Sequence, residues 1–585
     1  MRDRVARAVT VAAAVLATCG VPARAATMAG AARDSHDRVA TVLACSRPAA
    51  ARPAGLPADR AACLGVALGG TQSPASPGGA ALPVCANQAA GLNDRCERWA
   101  RAFNDRSPDG SKVDDTPAGL VLNKQGDRMF VATTTKVGAA QPRVTVAALS
   151  TKNGATLWTA HPPVVYSTTA NAVTVTADDR TLVVTGTLLY LPNLNASPLT
   201  YWFTTAYATA NGRFLWGALF RGGGVNVPVA VRTSPRGDSV FVTGTASYGG
   251  HQREYIEWVT AGYRLRDGKE LWHNRYGGQA GGQNWPVGLA VAPHGDVVYV
   301  AGSSEHPQTT GTYNWDYGAL ALDARTGRVR WKAVVRQGSN HDPVAMALSP
   351  AGDRLYVTGA ATYGTVTSPA YGMLTVALST RNGARSWLTR YLDPSGLSAT
   401  PMAFAASPKG DRVFLAAAVG QRRTVVAGAV EPSVLTITTF GLDARSGHGA
   451  WSLAYAPDPS YSAVPTALAV NAQGTMLYLA GQVGPPLLVA AYPVTLAVTA
   501  AGKRAWVARY DVRDPGGAGV GAAGYPAVPV AVVVDRAGAN VYDSLSYYPA
   551  GTGVASTECG TAHGAGVQQT CAPTGAANLV LAYAK

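Results

Sequence analysis

Charge is scarce in this chain, and the short motifs of common catalytic chemistry are missing. Asp, Glu, Lys and Arg make up 14% of the residues against 47% hydrophobic, a balance that excludes a disordered chain and supplies a large core. There is no Gly-x-Ser-x-Gly elbow, no Gly-rich phosphate loop before Lys-Ser/Thr, no His-Glu-x-x-His and no Cys-x-x-Cys-His, so the usual signatures of serine hydrolases, P-loop NTPases, zincins and c-type haem proteins are absent. No two cysteines stand at Cys-x-x-Cys spacing, which gives no thioredoxin-like or zinc site. The nine histidines are scattered, and strong helix signals are sparse beyond the N-terminus. No segment after the first 25 residues reaches 18 apolar residues without turn formers, as a membrane-spanning helix would require.

Residues 1–25 read as a signal peptide. Arg2, Arg4 and Arg7 precede the apolar run Val9 to Thr18, and Ala23-Arg24-Ala25 offers a small-x-small cleavage site. A lipoprotein signal ending at Cys19 is the rival reading, weakened by Thr18 where a small residue is usual. Export would leave six cysteines, Cys45, Cys63, Cys85, Cys96, Cys559 and Cys571. An even number suits disulfides, with sequence neighbours the simplest of the open pairings. Residues 26–95 are rich in Ala, Pro and Gly and read as a small disulfide-pinned extension. About +12 of the formal +15 charge survives removal of residues 1–25. The positive excess suits solubility and, more sharply, an anionic wall or membrane surface or an acidic glycan. Nucleic acid is not expected, because the basic residues are dispersed.

What is present is a repeat. Trp recurs at 99, 158, 216, 272, 331, 387, 451 and 506, at steps of 55 to 64 residues, and each after the first follows a Gly four positions earlier. Between them lie tight turns such as Ser349-Pro350-Ala351-Gly352-Asp353 and Ser407-Pro408-Lys409-Gly410-Asp411, flanked by β-branched runs. Gly supplies the positive φ of a short hairpin and Pro presets its start. Each unit therefore holds four antiparallel strands a to d; in the fifth these read as Val344–Leu348, Arg354–Gly359, Met373–Leu378 and Arg385–Tyr391. Repeated four-stranded units make an all-β propeller, here of eight blades over residues 96–585. The last unit ends in a strand c, Asn578–Lys585, with no strand d after it. Glu97–Phe103 carries the first Trp without a preceding turn Gly. That segment is expected to complete the last blade and remove the exposed sheet edges, although Gln88–Phe103 also tolerates a helical period.

The segment Ala321-Leu322-Asp323-Ala324-Arg325-Thr326-Gly327-Arg328-Val329-Arg330-Trp331 resembles the Ala-x-Asp-x-x-x-Gly-x-x-x-Trp pattern of the quinoprotein-like (PQQ-like) β-propeller repeat family, in its exported bacterial form. Only the copies at Asp323 and Asp443 keep the Asp. The resemblance implies a c–d turn followed by a Trp docked between blades. It also implies that pyrroloquinoline quinone with calcium must be weighed as a cofactor. No adjacent cysteine pair exists, and no motif anchors a catalytic Asp or calcium ligands, so no cofactor, metal or catalytic residue is assigned.

Ligands of propellers usually meet the face bearing the d–a and b–c loops, and the longest b–c loops are expected in blades two to five and eight. The resulting rim comprises His251, Arg253, Glu254 and Tyr255 of blade three, and Glu305, His306, Tyr313, Trp315, Asp316 and Tyr317 of blade four. Asn284, Trp285, His341 and Asp342 join it from the d–a loops. Such aromatic and polar groups suit a sugar or a peptide, although aromatics in long loops also pack on their own blade. The expected function is an exported binding or scaffold protein for a protein, glycan or cell-wall ligand. The alternatives are a quinone-dependent dehydrogenase or another enzyme acting on extracellular polymer.

Overall fold

The computed structural model describes residues 97–103 and 113–584, apart from 138–140, 164–165, 191–198, 249–254, 279–281, 308–312, 337–339, 365–368, 394–397, 422–433, 458–460, 485–490, 510–526 and 548–576. The signal peptide, the extension and all six candidate disulfide cysteines lie outside the described residues.

The alternation of turn glycines with β-branched and aromatic runs yields thirty-two strands among the described residues and no helix. They form eight four-stranded antiparallel sheets, an eight-bladed β-propeller. Blades one to seven occupy residues 113–160, 168–220, 226–276, 284–335, 340–392, 399–455 and 462–509. The eighth joins β30 (Ala527–Val534), β31 (Asn540–Tyr547) and β32 (Ala577–Ala584) to β1 (Glu97–Phe103) as its outermost strand. Trp99 lies opposite Ala582 and Ala100 opposite Leu581. The N-terminal strand therefore closes the ring, and the helical reading of that segment falls.

The Trp repeat works by bridging blades. Seven indoles donate Nε1–H to a c–d turn carbonyl of the next blade at 2.5–3.1 Å: Trp99 to Thr151, Trp158 to Thr209, Trp216 to Leu265, Trp272 to Ala324, Trp331 to Thr380, Trp387 to Ala444 and Trp451 to Ala500. Trp506 is the exception. Its Nε1 is buried with no acceptor among the described residues, because the next blade is the eighth, whose strands c and d come from opposite ends of the chain and share no hairpin. Trp272→Phe should therefore cost about 1–3 kcal/mol by orphaning a carbonyl, and Trp506→Phe clearly less. Urea midpoints of the two variants check this; equal losses would detach the indole bond from blade docking.

A second repeat was legible but unread. Strand a carries Pro117, Pro228, Pro286, Pro343, Pro401, Pro465 and Pro529 at one register, with Ala170 in blade two, and the ladder to strand b slips immediately after each. Strand a is the inner edge of its sheet, so a residue without N–H costs no ladder bond there, and the bulge bends the strand along the axis. Opposite Pro343 stands Gly359, where a Cβ would collide with Asp342 O.

The strands run further than their sequence bounds suggested. Blade five has β18 (Asn340–Leu348), β19 (Arg354–Gly364), β20 (Pro369–Ser379) and β21 (Arg385–Leu392). The longest b–c connections belong to blades six and eight, 422–433 and 548–576, which corrects the expectation of blades two to five.

Candidate functional site

The longer strands recast the rim. Asn284 and Trp285 lie in β14 (Asn284–Val291), Glu305 and His306 in β15 (Val297–Pro307), and Tyr313, Trp315, Asp316 and Tyr317 in β16 (Tyr313–Asp323). His341 and Asp342 lie in β18, and Tyr255 opens β12 (Tyr255–Arg264). All were expected on loops. His306 and Tyr313 stand opposite Asn314 and Pro307 in the ladder. His251, Arg253 and Glu254 lie outside the described residues.

Most polar candidates are consumed by the scaffold. Asn284 is fully buried; its Nδ2 donates to Ile256 O of the preceding blade and to Gly282 O, both at 3.1 Å, and its Oδ1 accepts Glu305 N–H at 3.0 Å. Asn226 makes the corresponding staple one blade earlier, with Nδ2 2.6 Å from Thr200 O and 3.0 Å from Gly224 O. The buried Glu305 carboxylate accepts Gln283 N–H. Tyr317 is buried and donates to Leu374 O of blade five at 3.1 Å; burial pushes its hydroxyl well above the ordinary phenol range.

One charged chain remains at the blade four–five seam. Asp316 accepts Arg336 Nε–H at 2.8 Å and stands 4.0 Å from His341 Nδ1. The Asp316 side chain is 3% exposed and Arg336 51%. His341 is buried and meets the Tyr317 ring edge-on at 5.8 Å. The His341 ring thus stands near Asp316 across the seam, beyond hydrogen-bond distance. A His closed off from solvent cannot reach a substrate proton, so this group reads as an inter-blade clasp.

What faces outward is aromatic. Trp285 and Trp315 are partly exposed, with centroids 6.4 Å apart and planes at 55°. Trp315 is fixed by Nε1–H to Gln283 O at 3.3 Å and by its backbone N–H to Asn340 Oδ1 at 3.1 Å. A second aromatic group went unread on blade two. Tyr190 stacks on Tyr201 at 5.7 Å, exposed Tyr166 meets Tyr190 edge-on at 5.7 Å, and Arg221 lies 5.3 Å from the Tyr201 ring centre. Its signal was the pair of tyrosines flanking the b–c connection 191–198.

Among the described residues no group of three or more His, Cys, Asp or Glu side chains converges. The buried carboxylates of blade four, Glu305 and Asp316, are already held by Gln283 N–H and Arg336. That donor set does not fit a calcium-bound quinone.

The repeat, the closed eight-bladed ring and the inter-blade indoles define a PQQ-like propeller. The sequence family described as outer membrane protein assembly factor BamB matches residues 142–389 and again 256–463, together more than half of the chain, and the chain belongs to that PQQ-like repeat family. No curated protein sequence matches it. Similar solved structures include Sqt1 of Chaetomium thermophilum, bound to the N-terminus of ribosomal protein L10 (12% identity over 76% of this chain and 95% of that one, TM-score 0.44). They also include quinohemoprotein alcohol dehydrogenase of Comamonas testosteroni (14%, 84% and 76%, 0.43) and BamB of Moraxella catarrhalis (12%, 83% and 96%, 0.37).

Proposed function

We propose that this protein is an exported binding propeller that takes an extracellular protein, glycan or cell-wall ligand on the face of its d–a and b–c loops. The observation that carries the reading is the division of labour on blade four. Glu305, Asp316, Asn284 and Tyr317 are spent on joining strands and blades, and the Trp285–Trp315 pair is left partly exposed. Paired indoles, one of them held by its Nε1–H on a backbone carbonyl, present rigid apolar area at small entropic cost. Export rests on the signal-like residues 1–25 and is part of the proposal.

A binding screen of the full chain against purified cell-wall and glycan fractions tests it. Trp285→Ala and Trp315→Ala are each expected to weaken capture roughly tenfold, about 1.4 kcal/mol, with an unchanged far-UV spectrum. Tyr166→Ala separates blade four from blade two. Capture unaltered in both Trp variants would remove blade four from the binding face.

A further inference from the structure

The innermost strands enclose an axis. Each strand a touches the strand a of both neighbouring blades, from β2 (Val113–Leu122) through β6 (Thr168–Val175), β10 (Asn226–Thr233), β14, β18, β22 (Ala399–Ala406) and β26 (Ser462–Val470) to β30, which returns to β2. At the register opposite the third residue of strand b these strands place Val121, Thr174, Arg232, Ala290, Ala347, Ala405, Ala469 and Val533. All eight are partly or fully exposed. On the inner edge of a closed ring, the solvent that reaches them is that of the central channel. The next residues toward the a–b turns are Leu122, Val175, Thr233, Val291, Leu348, Ala406, Val470 and Val534. Apart from Thr174, Thr233 and Arg232 these residues are aliphatic, and Arg232 is the one charge among them.

That charge is Arg232. Its Nη1 donates to the carbonyl of its neighbour Val231 at 2.8 Å, and no carboxylate lies within ion-pair distance among the described residues. The acidic residues of the a strands, Asp114, Asp115 and Asp342, occupy register positions on the far side of the bulge. Desolvation by the surrounding protein lowers the Arg232 pKa, although its side chain is open to solvent. Its exposure and its place on the inner strand put Arg232 as a solvent-reached cation in the central channel. In such a cavity low-dielectric walls concentrate the field, and a guanidinium keeps parallel donors suited to an oxyanion.

We propose that the central channel is an anion site, with Arg232 holding the phosphate, sulfate or carboxylate group of a small ligand that enters the channel. This site is separate from the aromatic face and does not depend on the binding reading above. The test is thermal unfolding and isothermal titration of the full chain with inorganic phosphate, sulfate and acetate, at constant ionic strength in chloride. The wild type is expected to gain stability with phosphate or sulfate concentration and to show a saturating heat. Arg232→Gln should weaken the apparent affinity at least tenfold, and Arg232→Lys should retain part of it. Arg325→Gln, at an exposed c–d turn, controls for general loss of positive charge and should behave as wild type. Equal anion responses in wild type and Arg232→Gln would overturn the proposal, as would a wild type indifferent to all three anions. Acetate binding without phosphate binding would assign the site to carboxylates.

Discussion

Replacing Asp543 by leucine should stabilise the protein above neutral pH by as much as about 4 kcal/mol. Asp543 sits in β31 with 1% exposure, on the face that carries Val541 and Leu545 against Tyr478 and Ala480 of blade seven. One carboxylate oxygen is bonded to Thr495 Oγ1 and the other has no partner among the described residues. No other Asp, Glu, Lys or Arg occurs in β27 (Met476–Gly484), β28 (Tyr492–Thr499), β30, β31 or β32. The titratable neighbours on these strands are tyrosines, of which Tyr478 and Tyr583 belong to the same cluster. Burial without a counter-charge pushes the Asp543 carboxyl from 3.8 up to about 7, the Thr495 bond opposing it in part. The folded chain then keeps its proton up to about pH 7, whereas the unfolded chain releases it near pH 4. Between these values the native state binds more protons, so stability falls as pH rises, and it levels off above the folded pKa. Leucine removes the titration and fits, because blades six and seven carry Leu415 and Leu479 at this register. Urea midpoints from pH 4 to 9 are the measurement. The gap between variant and wild type should widen steadily toward pH 7 and then hold. Parallel curves would show that the carboxyl does not titrate in this window.

Asp543 also shows what kind of fact a repeat makes legible. Blades one to seven carry Val131, Val184, Val242, Val300, Val357, Leu415 and Leu479 where blade eight has the acid; superposing the repeats would have exposed the outlier. Blade number and closure were legible because turn glycines and bridging indoles are local requirements repeated in each module. Strand ends were not, because their signal is tertiary. Asn284 and Asp316 look like loop residues by type, yet the first is satisfied by a carbonyl of the preceding blade and the second by an Arg beyond strand d. Polar side chains that join blades cannot be told from polar side chains that face a ligand until the neighbouring blade is in place. The Trp285–Trp315 pair, drawn from strands whose residues read as loops in the sequence, is the part of the rim that remains partly exposed.

Gly383→Ala, in the c–d turn of blade five, is expected to destabilise the protein by about 3–5 kcal/mol, more than an ordinary surface substitution costs. Two independent demands meet at this residue. Its φ is +74°, a left-handed conformation that costs an L side chain roughly 1 kcal/mol. Its missing Cβ also leaves room for the Trp331 ring of blade four, since a Cβ would stand 2.7 Å from Cε3. Moving that ring breaks the 2.7 Å bond from Trp331 Nε1 to Thr380 O in the same turn and opens the cluster that Trp331 shares with Tyr299 and Leu355. Strain, lost packing and an unpaired carbonyl therefore add within one inter-blade contact. Gly237→Ala separates these causes. That residue also has a left-handed φ, +71°, but an added Cβ there would meet nothing within 4 Å, so only the backbone cost of about 1 kcal/mol should appear. Unfolding midpoints of the two variants decide the matter: equal losses would mean that turn conformation alone selects glycine, and that the bridging indole does not depend on the space beneath it.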